Sequence, residues 1–289
     1  MLDVRGLSKK YRDGFAFKEI SFHIYPGDFA VLFGADDEGK TTLLYHILGM
    51  QHLKEGEILF HGRSLLRLTE AERKRLRFVP DSICQEAITV KQYLHTLAEI
   101  FENYDEKAAI DLCEYFDVNM NDKLSKMPYM KNKLAMIIGA MVTVPELLIL
   151  DEPMNFLDEA SGTKLLDYLK ALASKGVAIL ITCESAAEVK DYCSHYLYLQ
   201  NGQITHSGLM KDAYGSKKAI TLKGGNASLA RCLMGEPIAK RGEYTTYLFC
   251  DKEQNQTLAE ILGRIEPEDF QVENLSIEEI LNEDYTRWM

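Results

Sequence analysis

The chain has 289 residues, 46% of them apolar and 27% charged, with 33 Lys and Arg against 44 Asp and Glu for a net charge of −11 at pH 7. That length suits two domains, or one domain with an appendage, and the apolar share supports a packed core, which excludes wholesale disorder. The acid excess gathers in residues 251–289 and disfavours nucleic acid as the main ligand.

No window offers the roughly 20 mostly apolar residues of a membrane helix. The longest apolar stretch, Leu134–Leu150, is broken by Thr143, Pro145 and Glu146. The opening MLDVRGLSKKYRD lacks an apolar signal core. A cytoplasmic protein is therefore expected, with any membrane role exercised through a partner. Six cysteines, at 84, 113, 183, 193, 232 and 250, form no CxxC pair and read as reduced thiols. The basic stretch Arg63–Arg77 reads as a solvated face.

In chain order, Leu2–Val4 and Ala16–Ile24 alternate as strands do, and Pro26-Gly27 marks a turn. Phe29–Phe33 is a continuous apolar run, the pattern of a strand buried on both faces. It ends in Gly34, and Thr41–Leu48 follows as a helix closing at Gly49. Glu57–Phe60 reads as a short strand. Between Val90 and Val118 the spacing turns helical, through Tyr93, Leu94, Leu97, Ile100 and Phe101, then Ala109, Leu112, Cys113 and Phe116. Helix resumes near Tyr129 and runs to about Val142. Leu147–Leu150 is a second buried strand, ending in Asp151-Glu152-Pro153. A helix over Ala160–Lys175 leads to a third, Val177–Ile181, and Tyr196–Leu199 with Gln203–His206 read as a hairpin about Asn201-Gly202. Strands alternating with helices predict an α/β domain with a mostly parallel sheet over residues 1–213, with a helical insert at about 82–140. Residues 214–289 read as a small α+β domain: strand, helix, strand, strand, helix, strand and a final helix at Ser276–Asn282. The lone Trp288 reads as a packing anchor or a disordered end.

Gly34-Ala35-Asp36-Asp37-Glu38-Gly39-Lys40-Thr41 fits G-x-x-x-x-G-K-[ST] between a buried strand and a helix. Glycines let the backbone curl round phosphate oxygens, and the free N–H groups of the new helix face the anion. Lys40 is placed to neutralise the β- and γ-phosphates, and the Thr41 hydroxyl to ligate Mg²⁺. The candidate nucleotide-binding residues are thus Gly34 to Thr42, and the ligand is ATP with Mg²⁺. Asp36, Asp37 and Glu38 are three acids beside that triphosphate. At about 6 Å and an effective dielectric near 20, each repels a unit charge by about 3 kcal/mol, so their side chains are expected to face solvent.

A buried strand ending in Asp151 can hold Mg²⁺, and Glu152 is placed to polarise an attacking water. With these pieces in order, the chain resembles the nucleotide-binding subunits of ATP-binding-cassette (ABC) transporters. The resemblance is carried by Leu7–Tyr11, Pro26–Asp28, Gly39–Leu44, Gly56–Gly62, Pro145–Pro153, Asn155–Asp158 and Asn201–Ile204. Residues 272–280 resemble the C-terminal extension of ATPases that drive bacterial drug, antibiotic and peptide exporters. The resemblance implies a P-loop NTPase core with an antiparallel β subdomain. It also implies Tyr11 stacked on adenine, Glu152 as the catalytic base, and a head-to-tail dimer, homomeric or with a second ATPase. A separate membrane-spanning permease would hold the subunit at the inner face of the cell membrane, near Asp81–Val90.

Three positions depart from that family's pattern. The signature region, Leu124 to Leu134, has no glycine, and its register is open: either Leu124-Ser125 marks the start or Pro128-Tyr129 replaces the glycine pair. Asp81 stands where a glutamine is expected and remains a candidate metal ligand. Glu184 stands where a histidine is expected, and an ionised carboxylate repels a γ-phosphate instead of donating to it. Slow turnover by the chain alone, or one-sided hydrolysis with a more complete partner, is expected.

Overall fold

The computed structural model describes residues 1–12, 14–213, 217–250 and 257–282, so Trp288 lies outside the described residues. It divides into two compact units, one of residues 1–185 and 191–207, the other of the described residues of 186–190 and 208–289.

The first unit is a mixed α/β structure built on two sheets. Strands β1 (Leu2–Lys10), β2 (Ala16–Ile24), β4 (Glu55–Phe60) and β5 (Arg63–Ser64) make an antiparallel sheet in the order β2-β1-β4-β5. Strands β3 (Phe29–Phe33), β6 (Leu76–Val79), β7 (Leu147–Leu150), β8 (Ala178–Cys183), β9 (His195–Gln200) and β10 (Gln203–Leu209) make the second, ordered β10-β9-β3-β8-β7-β6. From β9 to β6 its pairings are parallel. Every residue of β3, β7 and β8 is buried, as unbroken apolar runs with cover on both faces require.

The core joins the two sheets. Leu2, Val4, Leu7, Phe17 and Ile20 pack with Ala30, Leu32, Ile149 and Leu180, and with Leu43, Leu44 and Ile47 of helix α1 (Lys40–Ile47). Each of the larger of these side chains contributes about 1.5–3 kcal/mol by leaving water, so the apolar side of α1 holds its N-terminus against the end of β3.

Between β5 and β6 lies α2 (Glu70–Arg73), begun by a Thr69–Glu72 capping box. Its basic stretch is largely the surface expected, with Arg63 on Glu72 and Arg75 on Glu146. Arg77 departs from that expectation. Its half-buried guanidinium lies 4.0 Å from the Phe101 ring centroid, and burial lowers its pKa. The helical insert contains α3 (Val90–Ile100), α4 (Glu106–Tyr115) and α5 (Tyr129–Met141). Thr89 and Asp105 cap the first two by accepting from backbone N–H groups three residues on. Helix α6 (Glu159–Ser174), capped by Asp158, connects β7 to β8. The six cysteines are thiols, none joined in a disulfide.

The second unit begins with the end of β10 and α7 (Met210–Ala213). Strands β11 (Lys217–Lys223), β12 (Ala239–Arg241), β13 (Tyr244–Cys250) and β14 (Asp269–Asn274) form an antiparallel sheet ordered β12-β13-β11-β14. Helices α8 (Ala227–Met234) and α9 (Leu258–Ile265) cover one face through Ala230, Met234, Ile261 and Ile265. Helix α10 (Ile277–Asn282) packs Ile280 with Leu275 and Ala219. The Ala186 N–H donates to Glu278 Oε1 at 3.0 Å, which ties the 186–190 segment into this unit.

Candidate functional site

The loop from Gly34 to Gly39 links β3 to α1, and two of its glycines are required by geometry. A Cβ on Gly34 would lie 2.3 Å from the Leu199 carbonyl oxygen. Gly39 has φ +90° as the N-cap of α1, and a Cβ there would meet Phe15 Cζ at 2.7 Å. The side chain of Lys40 is 7% exposed and curls over its own loop. Its Nζ donates to the Gly34 carbonyl at 2.8 Å and the Ala35 carbonyl at 3.2 Å, and lies 3.3 Å from Glu152 Oε1. An anion seated at the helix N-terminus would meet this ammonium and the first-turn N–H groups together.

The three loop acids do not all turn away from the cavity. Asp36 is 80% exposed, yet its Oδ1 lies 4.0 Å from Lys40 Nζ, and Asp36 and Asp37 both line the cavity. Glu38 instead accepts from the Asn201 backbone N–H in the β9–β10 turn. A partial ion pair to Lys40 thus supplements solvent exposure in offsetting the charge.

Asp151, at the end of β7, is 1% exposed. Its Oδ2 accepts from Thr41 Oγ1 at 2.8 Å and its Oδ1 from Thr182 Oγ1 at 2.7 Å. Thr182 is missed by motif reading; its one signal is a hydroxyl inside an otherwise apolar run. The same hydroxyl accepts from the Glu152 N–H at 2.8 Å, which fixes Glu152 at φ +45°, a conformation rare for a residue with a Cβ. Burial raises the Glu152 carboxyl above its ordinary range, opposed by Lys40 and reinforced by Asp151 and Glu184.

Lys133 is a second missed residue. Its fully buried ammonium donates to the Pro80 carbonyl at 2.6 Å and the Asp151 carbonyl at 2.9 Å, and lies 3.6 Å from Asp81 Oδ1. Burial lowers its pKa, with Asp81 the largest opposing influence. Asp81 also receives the Tyr129 hydroxyl, at 2.5 Å on its carbonyl and 3.2 Å on Oδ1. Tyr129 opens α5 behind Pro128, whereas Leu124–Lys126 is a separate 3-10 turn. The helix start therefore falls at Pro128-Tyr129, one of the two registers left open by the sequence.

These groups surround a cavity of about 650 Å³ lined by Tyr11, Phe15, Asp36, Asp37, Gly39, Lys40, Thr41, Thr42, Asp81, Glu152, Asn155 and Glu184. At one end Tyr11 is pinned by its hydroxyl, 2.6 Å from His46 Nε2 and donating to Gln51 Oε1 at 3.0 Å. Burial and then Lys9 lower the His46 pKa, favouring the neutral ring. Phe15, unanticipated, adds a second ring 5.9 Å from Tyr11.

The donor set suits magnesium. Thr41 and Asp151 bring hard oxygens together, and no cluster of three or more His, Cys, Asp or Glu placed to hold a metal occurs among the described residues. Magnesium needs only one or two protein ligands when phosphates and water supply the rest.

The family model described as ABC transporter matches residues 17–155, which span β2, the Lys40 loop and the Asp151-Glu152 strand end. Residues 17–155 carry an ABC transporter domain. Its ABC-type ATPase core is the α/β cassette described here. The ABC-type transporter ATP-binding protein EcsA of Bacillus subtilis is 26% identical over 231 residues, covering 76% of this chain and 92% of that protein. Phosphonates import ATP-binding protein PhnC 1 of Cupriavidus metallidurans is 25% identical over 270 residues, covering 82% and 94%. Nod factor export ATP-binding protein I of Burkholderia thailandensis is 26% identical over 214 residues, covering 72% and 70%. Among solved structures, an ATP-binding subunit of an ABC transporter aligns with a TM-score of 0.68 at 24% identity, over 74% of this chain and 91% of that one. A dimeric bacterial ABC transporter cassette aligns at 0.64 and 18%, over 73% and 99%. Import and export both appear among these names, so direction is not set by likeness. No helix among the described residues is long and apolar enough to cross a membrane.

Proposed function

We propose that this chain is the ATP-binding subunit of a bacterial ABC exporter, coupling ATP binding and hydrolysis to movement of a peptide, antibiotic or similar substrate through a separate membrane permease. The observation that carries the nucleotide half is the convergence of Lys40, Thr41 and Glu152 on one cavity, with Asp151 buried behind the Thr41 hydroxyl that it holds. Support for export is the appended α+β unit after residue 207, with its resemblance to exporter ATPases, and a relative named for Nod factor export.

Lys40 and the first turn of α1 bind the phosphates, and the pinned Tyr11 ring with Phe15 offers apolar faces to the base. Thr41 and Asp151 would hold Mg²⁺, which would supply neutralising charge beside the phosphates. Glu152, ionised, accepts the proton of the attacking water. Thr182 fixes the backbone from which Glu152 projects.

A second reading is favoured by Glu184 and Asp81 on the cavity wall and by Pro128 at the start of α5. In it the chain binds nucleotide but turns over slowly, as the regulatory half of a heterodimer with a complete ATPase. ATP hydrolysis by the chain alone and with its co-expressed membrane and ATPase neighbours separates the readings. Stimulation by a copurifying permease, with substrate accumulating in inside-out vesicles, supports the exporter. Nucleotide binding with no hydrolysis in any combination selects the impaired subunit, and transport in the opposite sense removes the exporter assignment.

A further inference from the structure

Asp81, Asp36, Asp37, Glu152 and Glu184 line the nucleotide cavity against the single ammonium of Lys40. A triphosphate entering such a wall meets strong repulsion. One more positive charge lies just beneath the surface. Lys133 is fully buried, and an ammonium in that position is tolerated only where fixed oxygens surround it. Its oxygens are the carbonyls of Pro80 and Asp151, at the ends of two neighbouring parallel strands, and the carboxylate of Asp81. One helical turn earlier on α5, the Tyr129 hydroxyl reaches the same carboxylate oxygen, Asp81 Oδ1, and also the Asp81 carbonyl. Asp81 is thus oriented by α5, and Lys133 is oriented by the ends of β6 and β7, the latter running into Asp151 and Glu152.

We propose that Asp81 and Lys133 work as one electrically neutral pair that stands in for the neutral glutamine expected at position 81, with Lys133 a positioning residue of the nucleotide site. A lone aspartate there would add a negative charge to the wall. Paired with the ammonium it presents oriented oxygens at no net charge, which is what an amide presents. In this arrangement Asp81 is engaged with α5 rather than free to ligate a metal. The proposal rests on the ATP-site reading and concerns this chain's own side chains.

The test is equilibrium binding of a fluorescent ATP analogue to the full chain, once with magnesium and once with EDTA. The variants are Asp81→Gln, Lys133→Gln and the double substitution, with thermal melting recorded for each. Asp81→Gln leaves the ammonium unbalanced and is expected to tighten binding at least threefold in both conditions. Lys133→Gln leaves the carboxylate unbalanced and is expected to weaken binding at least tenfold. The double variant is expected to return to within threefold of wild type. A purely structural Lys133 would show the same loss whether residue 81 is Asp or Gln, and that result overturns the pair. Weakening by Asp81→Gln with magnesium but not with EDTA also overturns it, because Asp81 would then be a metal ligand. Asp81 is 45% exposed, so its variant folds and decides the matter alone if Lys133→Gln does not. Lys40→Ala reports on the parent reading: unchanged nucleotide affinity there removes the ATP site and the pair with it. Lost affinity there, with Asp81→Gln weakening binding, removes only the pair.

Discussion

The Thr182 hydroxyl lies 2.7 Å from Asp151 Oδ1 and, with Thr41 on Oδ2, caps both oxygens of a carboxylate that is 1% exposed. The same oxygen receives the Glu152 N–H, so one side chain of β8 orders two successive residues at the end of β7. Thr182→Val keeps the shape and removes the hydroxyl. It orphans a buried carboxylate oxygen and a backbone N–H, each worth about 1–3 kcal/mol. Urea unfolding should show at least that loss, and a change under about 0.5 kcal/mol would refute the role.

Lys40 and Glu152 face one another at 3.3 Å but act at different steps. Lys40→Ala is expected to weaken ATP binding by ten- to a hundredfold, following the loss of charged hydrogen bonds worth about 1.5–3 kcal/mol. Glu152→Gln should bind ATP within a few-fold of wild type and lose about 10²- to 10⁴-fold in hydrolysis, the usual size of a proton-transfer contribution. Calorimetric binding beside phosphate release checks both. Equal loss of binding in the two variants would show that the roles are not divided.

Burial raises the Glu152 carboxyl, so the protein without nucleotide holds its proton to higher pH than an ordinary glutamate would. The stability this group contributes is fully present below the unfolded-state pKa and is lost as pH rises through the folded-state value. Hydrolysis needs the ionised form, so its acid limb should lie above the ordinary glutamate value of 4.5. Glu184→Gln removes a neighbouring charge that pushes in the raising direction, and its acid limb should move to lower pH. A shift the other way contradicts the electrostatic account.

Glu184 lies on the cavity wall where the family resemblance implies a histidine. Glu184→His exchanges a repelling carboxylate for a possible donor, and phosphate release should rise at least fivefold at saturating ATP. No gain would show that the limit on turnover lies elsewhere, with Pro128 at the start of α5 the next place to look.

Gly34 stands where a methyl group would meet the Leu199 carbonyl oxygen at 2.3 Å. Gly34→Ala should destabilise by about 1–3 kcal/mol, as overpacking does, and should also weaken nucleotide binding by displacing the loop. Wild-type melting and affinity in this variant would contradict the close approach of β3 and β9.

Features with local signals were legible from the residue pattern. Phe29–Phe33 and Leu147–Leu150 are too apolar to be anything but buried strands, and both are. The glycine-rich run ending at Lys40 sits between strand and helix because that spacing requires it. Which groups support those motifs emerged only from the folded arrangement. Thr182 meets Asp151 across 31 residues, Lys133 meets the Pro80 carbonyl across 53, and Glu38 meets Asn201 across 163. None of these contacts has a local pattern, because each gathers at the ends of parallel strands distant in sequence, or where helix α5 packs against those ends. Burial there then forces every polar atom to find a partner wherever the fold supplies one.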